Sequence, residues 1–221
     1  MRSGAFLVAL GAMGLLIGLR YVDGVAGEVI PDAGTHGAWY GSRAAGLASY
    51  IMLWVAVAGG VLMSSAWFDG IVNRGRLLAV HQVGALAGLA LGVVHALLLI
   101  PDGWTSFGLI DLLVPFASSY ERPLTGVGTT TLYLFAIVTF SFWARGTLGA
   151  RVWRWIHYAS AVAFAGAAWH GIQLGSDTEA SWARALYLGT TMLLLGAVIL
   201  RVTYLRPLRR PAAKAVSVGQ D

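Results

Sequence analysis

The sequence predicts an all-α membrane protein, a bundle of six transmembrane helices. Three observations predict it. Charged residues make up only 11% of the 221 residues while 57% are hydrophobic, against about 25% charged in a soluble domain. The mean hydropathy is +0.71. Six apolar runs alternate with loops whose Lys and Arg content switches from side to side. In hydrocarbon every backbone polar group must be satisfied internally, so long apolar runs become helices. The 29 glycines suit closely packed membrane helices.

The first run, Gly4–Leu19, is flanked by Arg2 and Arg20 and is short for a span. A signal peptide has the same shape, but Val25-Ala26-Gly27 is a poor cleavage site, so a retained first span is expected. An outer loop, Tyr21–Ser42, follows, with Asp23, Glu28, Asp32 and a solvated His36. The second run, Ala44–Trp67, ends in a loop with Asp69, Arg74 and Arg76. The third is Leu77–Ile100. The long connection from Pro101 to Thr125 holds the apolar stretch Phe107–Phe116, too short to span and suited to the membrane surface or the outer end of the bundle. The fourth run, Gly126–Trp143, leads into a basic loop with Arg145, Arg151 and Arg154. The fifth is Trp155–Leu174, followed by Asp177 and Glu179, and the sixth is Ala185–Tyr204. Residues 1–205 thus form one transmembrane domain, and 206–221 a disordered cytoplasmic tail.

Basic loops follow the second and fourth runs, and the tail is basic, which predicts both termini in the cytoplasm; the membrane expected is a bacterial inner (plasma) membrane. The net charge of +5 is explained by this bias rather than by nucleic acid. No P-loop and no dinucleotide-binding glycine motif is present. The chain has no Cys, which excludes disulfides, thiolate-held iron–sulfur clusters and covalently attached c-type heme.

The third and fifth runs contain no Asp, Glu, Lys or Arg, yet each carries two histidines, His81 and His95 on one, His157 and His170 on the other. An imidazole inside an apolar span needs a partner. At 1.5 Å per residue the two pairs are separated by about 21 Å and about 20 Å. Both helices start from the cytoplasmic side, so His81 matches His157 in depth and His95 matches His170. Each matched pair suits the two axial positions of one iron, and the cofactors expected are two stacked hemes b. Zinc or copper needs further ligands that these depths lack.

Helical periodicity puts His95 about 40° from His81, with Gly84, Gly88 and Gly92 on that face. These glycines offer clearance for a macrocycle, or else a small-residue helix contact. On the fifth run His170 points about 140° away from His157, so a kink near Gly166 or rotated hemes would be needed. Phe164 lies midway, as a bridge between the hemes or as a packing aromatic. Arg76 and Arg154 sit at the cytoplasmic rim, as heme propionate partners or as positive-inside markers.

These spacings resemble the ferric reductase-like transmembrane domain, shared by metalloreductases and superoxide-producing NADPH oxidases. One helix of that family carries two His with thirteen residues between them, as His81 and His95 do; another carries two with twelve between, as His157 and His170 do. Gly75-Arg76-Leu77, Thr125-Gly126, Leu148-Gly149 and Val152-Trp153-Arg154 agree with the flanks. The likeness covers about residues 40–175. It implies six helices, two bis-His hemes b as metal centres, and electron transfer from a cytoplasmic or membrane donor to the outer face. The large members append a flavin and NADPH-binding domain, which this chain lacks, so the donor is expected to be a separate flavoprotein or quinol. Where the oxidases have a polar residue four after the outer ligand, this chain has Leu99. The heme membrane subunit of the bacterial methionine-sulfoxide reductase system is similar in size, with a smaller His set.

The expected function is that of an oxidoreductase membrane component: a two-heme b-type cytochrome in the lipid bilayer passing electrons to a ferric chelate, oxygen or a reductase subunit. The competing readings are a quinol-linked subunit supplying a periplasmic reductase, and a proton-coupled transporter using His as relays.

Overall fold

The computed structural model describes residues 33–64, 73–102 and 106–203, and its regular structure there is entirely helical. In chain order the helices are α1 (Ala33–Ser64), α2 (Arg74–Leu97), α3 (Leu109–Leu113), α4 (Arg122–Leu148), α5 (Ala150–Leu174) and α6 (Ser181–Thr203). The expected first span, Gly4–Leu19, and the tail from residue 206 lie outside the described residues.

Four of these helices, α1, α2, α4 and α6, are long and apolar enough to cross a membrane. The chain is therefore an integral membrane protein. The second histidine helix, α5, has 25 residues but does not join the four. His157, His170 and Gln173 lower its hydropathy, and its first two turns hold Arg151 and Arg154. It still packs lengthwise on α4.

Local chemistry explains the helix ends. The Asn73 side chain accepts the Arg76 backbone N–H at 3.1 Å and starts α2. Pro123 falls in the first turn of α4, where its missing N–H costs nothing. Only Gly149 separates α4 from α5, with φ +77°, a conformation that L side chains avoid. The basic loop expected between the fourth and fifth runs is thus a one-residue corner, and Arg145, Arg151 and Arg154 sit on helix ends.

The largest boundary difference is at α1. The expected outer loop to Ser42 is helical from Ala33 onward, so His36 is a half-buried helix residue rather than a solvated loop residue. No proline follows Pro31 there, and of the polar residues that argued for a loop Asp23, Glu28 and Asp32 lie outside the described residues. Ser42 bonds to α2, and Arg43 forms an ion pair with Asp177, beyond the end of α5.

The helices pack as two antiparallel pairs, α1 on α2 and α4 on α5, with α6 against α1. Contacts between α1 and α2 recur every seven residues: Ser42 meets His95, Ser49 meets Gly88 and Ala56 meets His81. That is the period of a coiled-coil seam, two turns of helix. The core is a cluster of Tyr50, Leu53, Leu89, Phe135, Ala163 and Phe164. The connection from Ser106 to Glu121 folds over the Asp177 end of the bundle. Phe107 is buried there, while Leu109, Ile110, Leu113 and Phe116 are exposed. The Tyr133 hydroxyl donates to the Leu113 carbonyl and holds α3 against α4.

Candidate functional site: two histidine pairs

The four histidines of α2 and α5 meet as two pairs at two levels of the bundle. The rings of His81 and His157 have centroids 5.9 Å apart and planes at 65°. Those of His95 and His170 are 6.3 Å apart at 80°. The helices that carry them pack chiefly on other partners, α2 on α1 and α5 on α4. The imidazoles therefore reach toward each other across a space between the two helix pairs.

No break in α5 is needed for this. It runs as one unbroken helix from Ala150 to Leu174. Its two buried side chains, Ala163 and Phe164, lie inside the arc of about 140° between the two histidines. Each histidine thus flanks the buried face by about 70°, and both stay on the interior side.

Three of the four rings are oriented by backbone carbonyls of the neighbouring helix. His81 Nδ1–H donates to the Ala56 carbonyl at 2.7 Å. His95 Nδ1–H donates to the Ser42 carbonyl at 2.8 Å. His170 Nδ1–H donates to the Leu124 carbonyl at 2.8 Å. A carbonyl can only accept, so Nδ1 carries the proton in each, and in the neutral ring Nε2 keeps its lone pair. His157 is held differently. Its ring stacks on Trp153, one turn earlier, at 5.1 Å and 23°.

The glycines expected to clear space on α2 do something else. A Cβ on Gly84 would meet the Met52 carbonyl at 3.0 Å, one on Gly88 would meet Leu53 at 2.6 Å, and one on Gly92 would meet Leu132 at 3.2 Å. The room beside them is filled by α1 and α4, so the small-residue contact is the correct alternative for these three. Their absent side chains bring α1 near enough for its carbonyls to reach His81 and His95. Clearance around the imidazoles comes from glycines on the facing helices. A Cβ on Gly46 would lie 2.8 Å from His95 Nδ1, and one on Gly128 would lie 2.6 Å from His170 Cε1. Beside His81 the fit is looser, with Gly60 at 3.3 Å.

Phe164 is buried between the two levels and stacks on Tyr50 at 5.4 Å, so it packs in the core. Arg76 and Arg154 are exposed at the end nearer His81 and His157. The sequence reading missed Ser42, Gly46, Tyr50, Gly128 and the Arg43–Asp177 pair. A cavity of about 220 Å³ adjoins the second level; His95, His170, Ser42, Arg43 and Thr129 are among its lining residues, whereas neither His81 nor His157 is. Among the described residues no three His, Asp or Glu side chains cluster as a metal-binding group. Comparison with protein-family models, with curated proteins and with solved structures finds no match.

Proposed function

We propose that the chain is a transmembrane electron carrier that holds two hemes b, one at each histidine pair. The observation that carries this reading is the pairing itself. A metal about 2.0–2.1 Å from each of two imidazole nitrogens sets the ring centres about 6 Å apart. The two observed separations, 5.9 and 6.3 Å, fit that span. Two protein ligands per site are too few for zinc but sufficient for heme, whose porphyrin supplies the other four nitrogens. The carbonyl bonds to Nδ1 supply the outer support that metal-bound histidines characteristically have.

In this reading His81 and His157 form the inner site, toward the cytoplasm, and His95 and His170 form the outer site. Heme b, when bound, supplies a one-electron couple at each level whose potential the axial ligands and burial adjust. The remaining work belongs to the chain. Ala56, Ser42 and Leu124 hold three rings in one tautomer. Gly46 and Gly128 leave room for the outer imidazoles. Tyr50, Leu53, Leu89, Phe135 and Phe164 fill the middle of the bundle and keep water from the path between levels. If each histidine pair holds one heme iron, no position would be left open to a substrate, and the group would supply electron exchange with donor and acceptor rather than substrate binding. The donor is a flavoprotein or a quinol at the inner, arginine-rich end. The acceptor is a ferric chelate, oxygen or a reductase subunit at the outer end. The membrane would be a bacterial inner membrane with both termini cytoplasmic.

The test is heme quantitation and a redox spectrum of the purified full chain in detergent. Two hemes b per chain, with low-spin Soret and α bands that sharpen on reduction, are expected. A chain purified from heme-replete cells without those bands overturns the reading and leaves the histidines as proton relays.

A further inference from the structure

The hydroxyl of Ser42 stands out among the hydroxyls of the bundle. Thr129, Thr130 and Thr190 turn theirs back on the carbonyl four residues earlier in their own helices. Ser42 sends its hydroxyl across to α2, where it donates to the His95 carbonyl at 2.9 Å. Its oxygen, with that proton given away, lies 3.0 Å from His95 Nδ1. The Nδ1–H is therefore shared between the carbonyl and the hydroxyl oxygen of one residue. Ser42 is only 1% exposed, so water does not compete for either bond.

The seven-residue seam supplies two internal comparisons. Ser49, one step along α1, makes the same kind of interhelix bond, to the Gly88 carbonyl at 2.7 Å, and no imidazole shares that bond. Ala56, two steps along, meets His81 with its carbonyl alone. The three positions thus offer hydroxyl with imidazole, hydroxyl without imidazole, and imidazole without hydroxyl.

We propose that Ser42 is a positioning residue that tunes the outer imidazole: its hydroxyl, added to its carbonyl, makes His95 a stronger and more rigidly oriented ligand than His81. The inference rests on the heme reading above. A second acceptor at Nδ1–H draws that proton outward and raises the basicity of Nε2, which favours the oxidised metal. Loss of the hydroxyl raises the outer potential and loosens the outer heme.

The experiment is a spectroelectrochemical titration of the full chain carrying Ser42→Ala, Ser42→Cys or Ser49→Ala, together with heme transfer to apomyoglobin. Ser42→Cys replaces the hydroxyl with a somewhat larger thiol, which opens no cavity but is a weak acceptor, so it reports even if the alanine variant folds poorly. Both Ser42 variants should raise the outer midpoint potential, leave the inner one in place, and speed heme loss from the outer site about 10- to 100-fold, the usual range for a lost outer-shell partner. Ser49→Ala should lose similar thermal stability with no change in potential. An unmoved outer potential in a Ser42 variant that retains two hemes overturns the proposal, as does an equal shift in Ser49→Ala. Fewer than two hemes in the unsubstituted chain would instead count against the heme reading.

Discussion

The two histidine levels share a plan but differ in how firmly their surroundings hold them. At the His95–His170 level both rings donate Nδ1–H to carbonyls, from Ser42 and Leu124. Both also press on glycines, Gly46 and Gly128, whose Cβ atoms would come within 3 Å of the rings. At the His81–His157 level, among the described residues, only His81 has a carbonyl partner, and its facing glycine has slack. His157 relies on a stacked indole, which limits tilt but does not fix which nitrogen carries the proton. The difference teaches that matched spacing on two helices does not give equal sites. The neighbouring helices α1 and α4 decide how rigid each site is.

The largest effect expected is loss of one level at a time. His95→Ala or His170→Ala should reduce heme content from two per chain to one, with the inner spectrum kept; His81→Ala or His157→Ala should do the reverse. Pyridine hemochrome assays and redox titration of each variant would show it. Loss of both hemes in every variant would break the view that the levels are separate sites.

Substitution of the facing glycines sharpens the contrast. Gly46→Ala and Gly128→Ala each put a methyl group inside the outer imidazoles, which can give way only by leaving their carbonyl partners. Gly60→Ala places its methyl 3.3 Å from His81 Cε1, a contact that a small ring shift relieves. Outer heme occupancy should fall severalfold in the first two variants, while inner occupancy in the third stays near that of the parent. Equal losses in all three, measured from the resolved α bands, would show that the outer level is no tighter than the inner.

Much of this was legible in the sequence, and the boundary of legibility is physical. Four histidines in charge-free apolar runs declared themselves because an imidazole in lipid is expensive. Depth matching paired them as the structure does. The role of Gly84, Gly88 and Gly92 was not legible, because a helical wheel shows which residues share a face but not what occupies it. The signal that could have found the partners lay on α1. Ser42 and Ala56 are fourteen residues apart, as are Gly46 and Gly60, and so are His81 and His95. The start of α1 read as a loop because His36 follows Asp23, Glu28 and Asp32 among Gly and Pro residues, and its helical course shows only once Ser42 and Arg43 meet partners on distant segments. The angular mismatch on α5 disappeared for a similar reason. Two residues about 140° apart can both face inward when the helix is buried along the arc between them.

A smaller effect belongs to the clasp at the outer end. Arg43 and Asp177 form an ion pair with side chains 31% and 35% exposed, joining α1 to the turn after α5 beside the outer cavity. Pairs this open are worth about 0.2–1 kcal/mol. Asp177→Asn should lower the unfolding midpoint slightly and speed outer heme loss more than inner heme loss, because only the outer level shares a wall with the clasp. Equal changes at both levels, followed by apomyoglobin transfer, would separate the clasp from the outer site.

The smallest effect is expected midway between the levels. The Tyr50 hydroxyl bonds to Thr190 Oγ1 at 2.7 Å, and its ring stacks on Phe164. Tyr50→Phe removes the hydroxyl and keeps the stack. Thr190 still donates to the Leu186 carbonyl at 2.7 Å, so no donor is stranded and the cost should lie at the low end of the usual 0.5–1.5 kcal/mol. Neither histidine pair touches this bond, so both potentials should stay where they are. A shift at one level alone would mean that the aromatic layer transmits strain unequally. The rigidity of the outer site would then come partly from the core and not solely from Ser42, Gly46, Leu124 and Gly128.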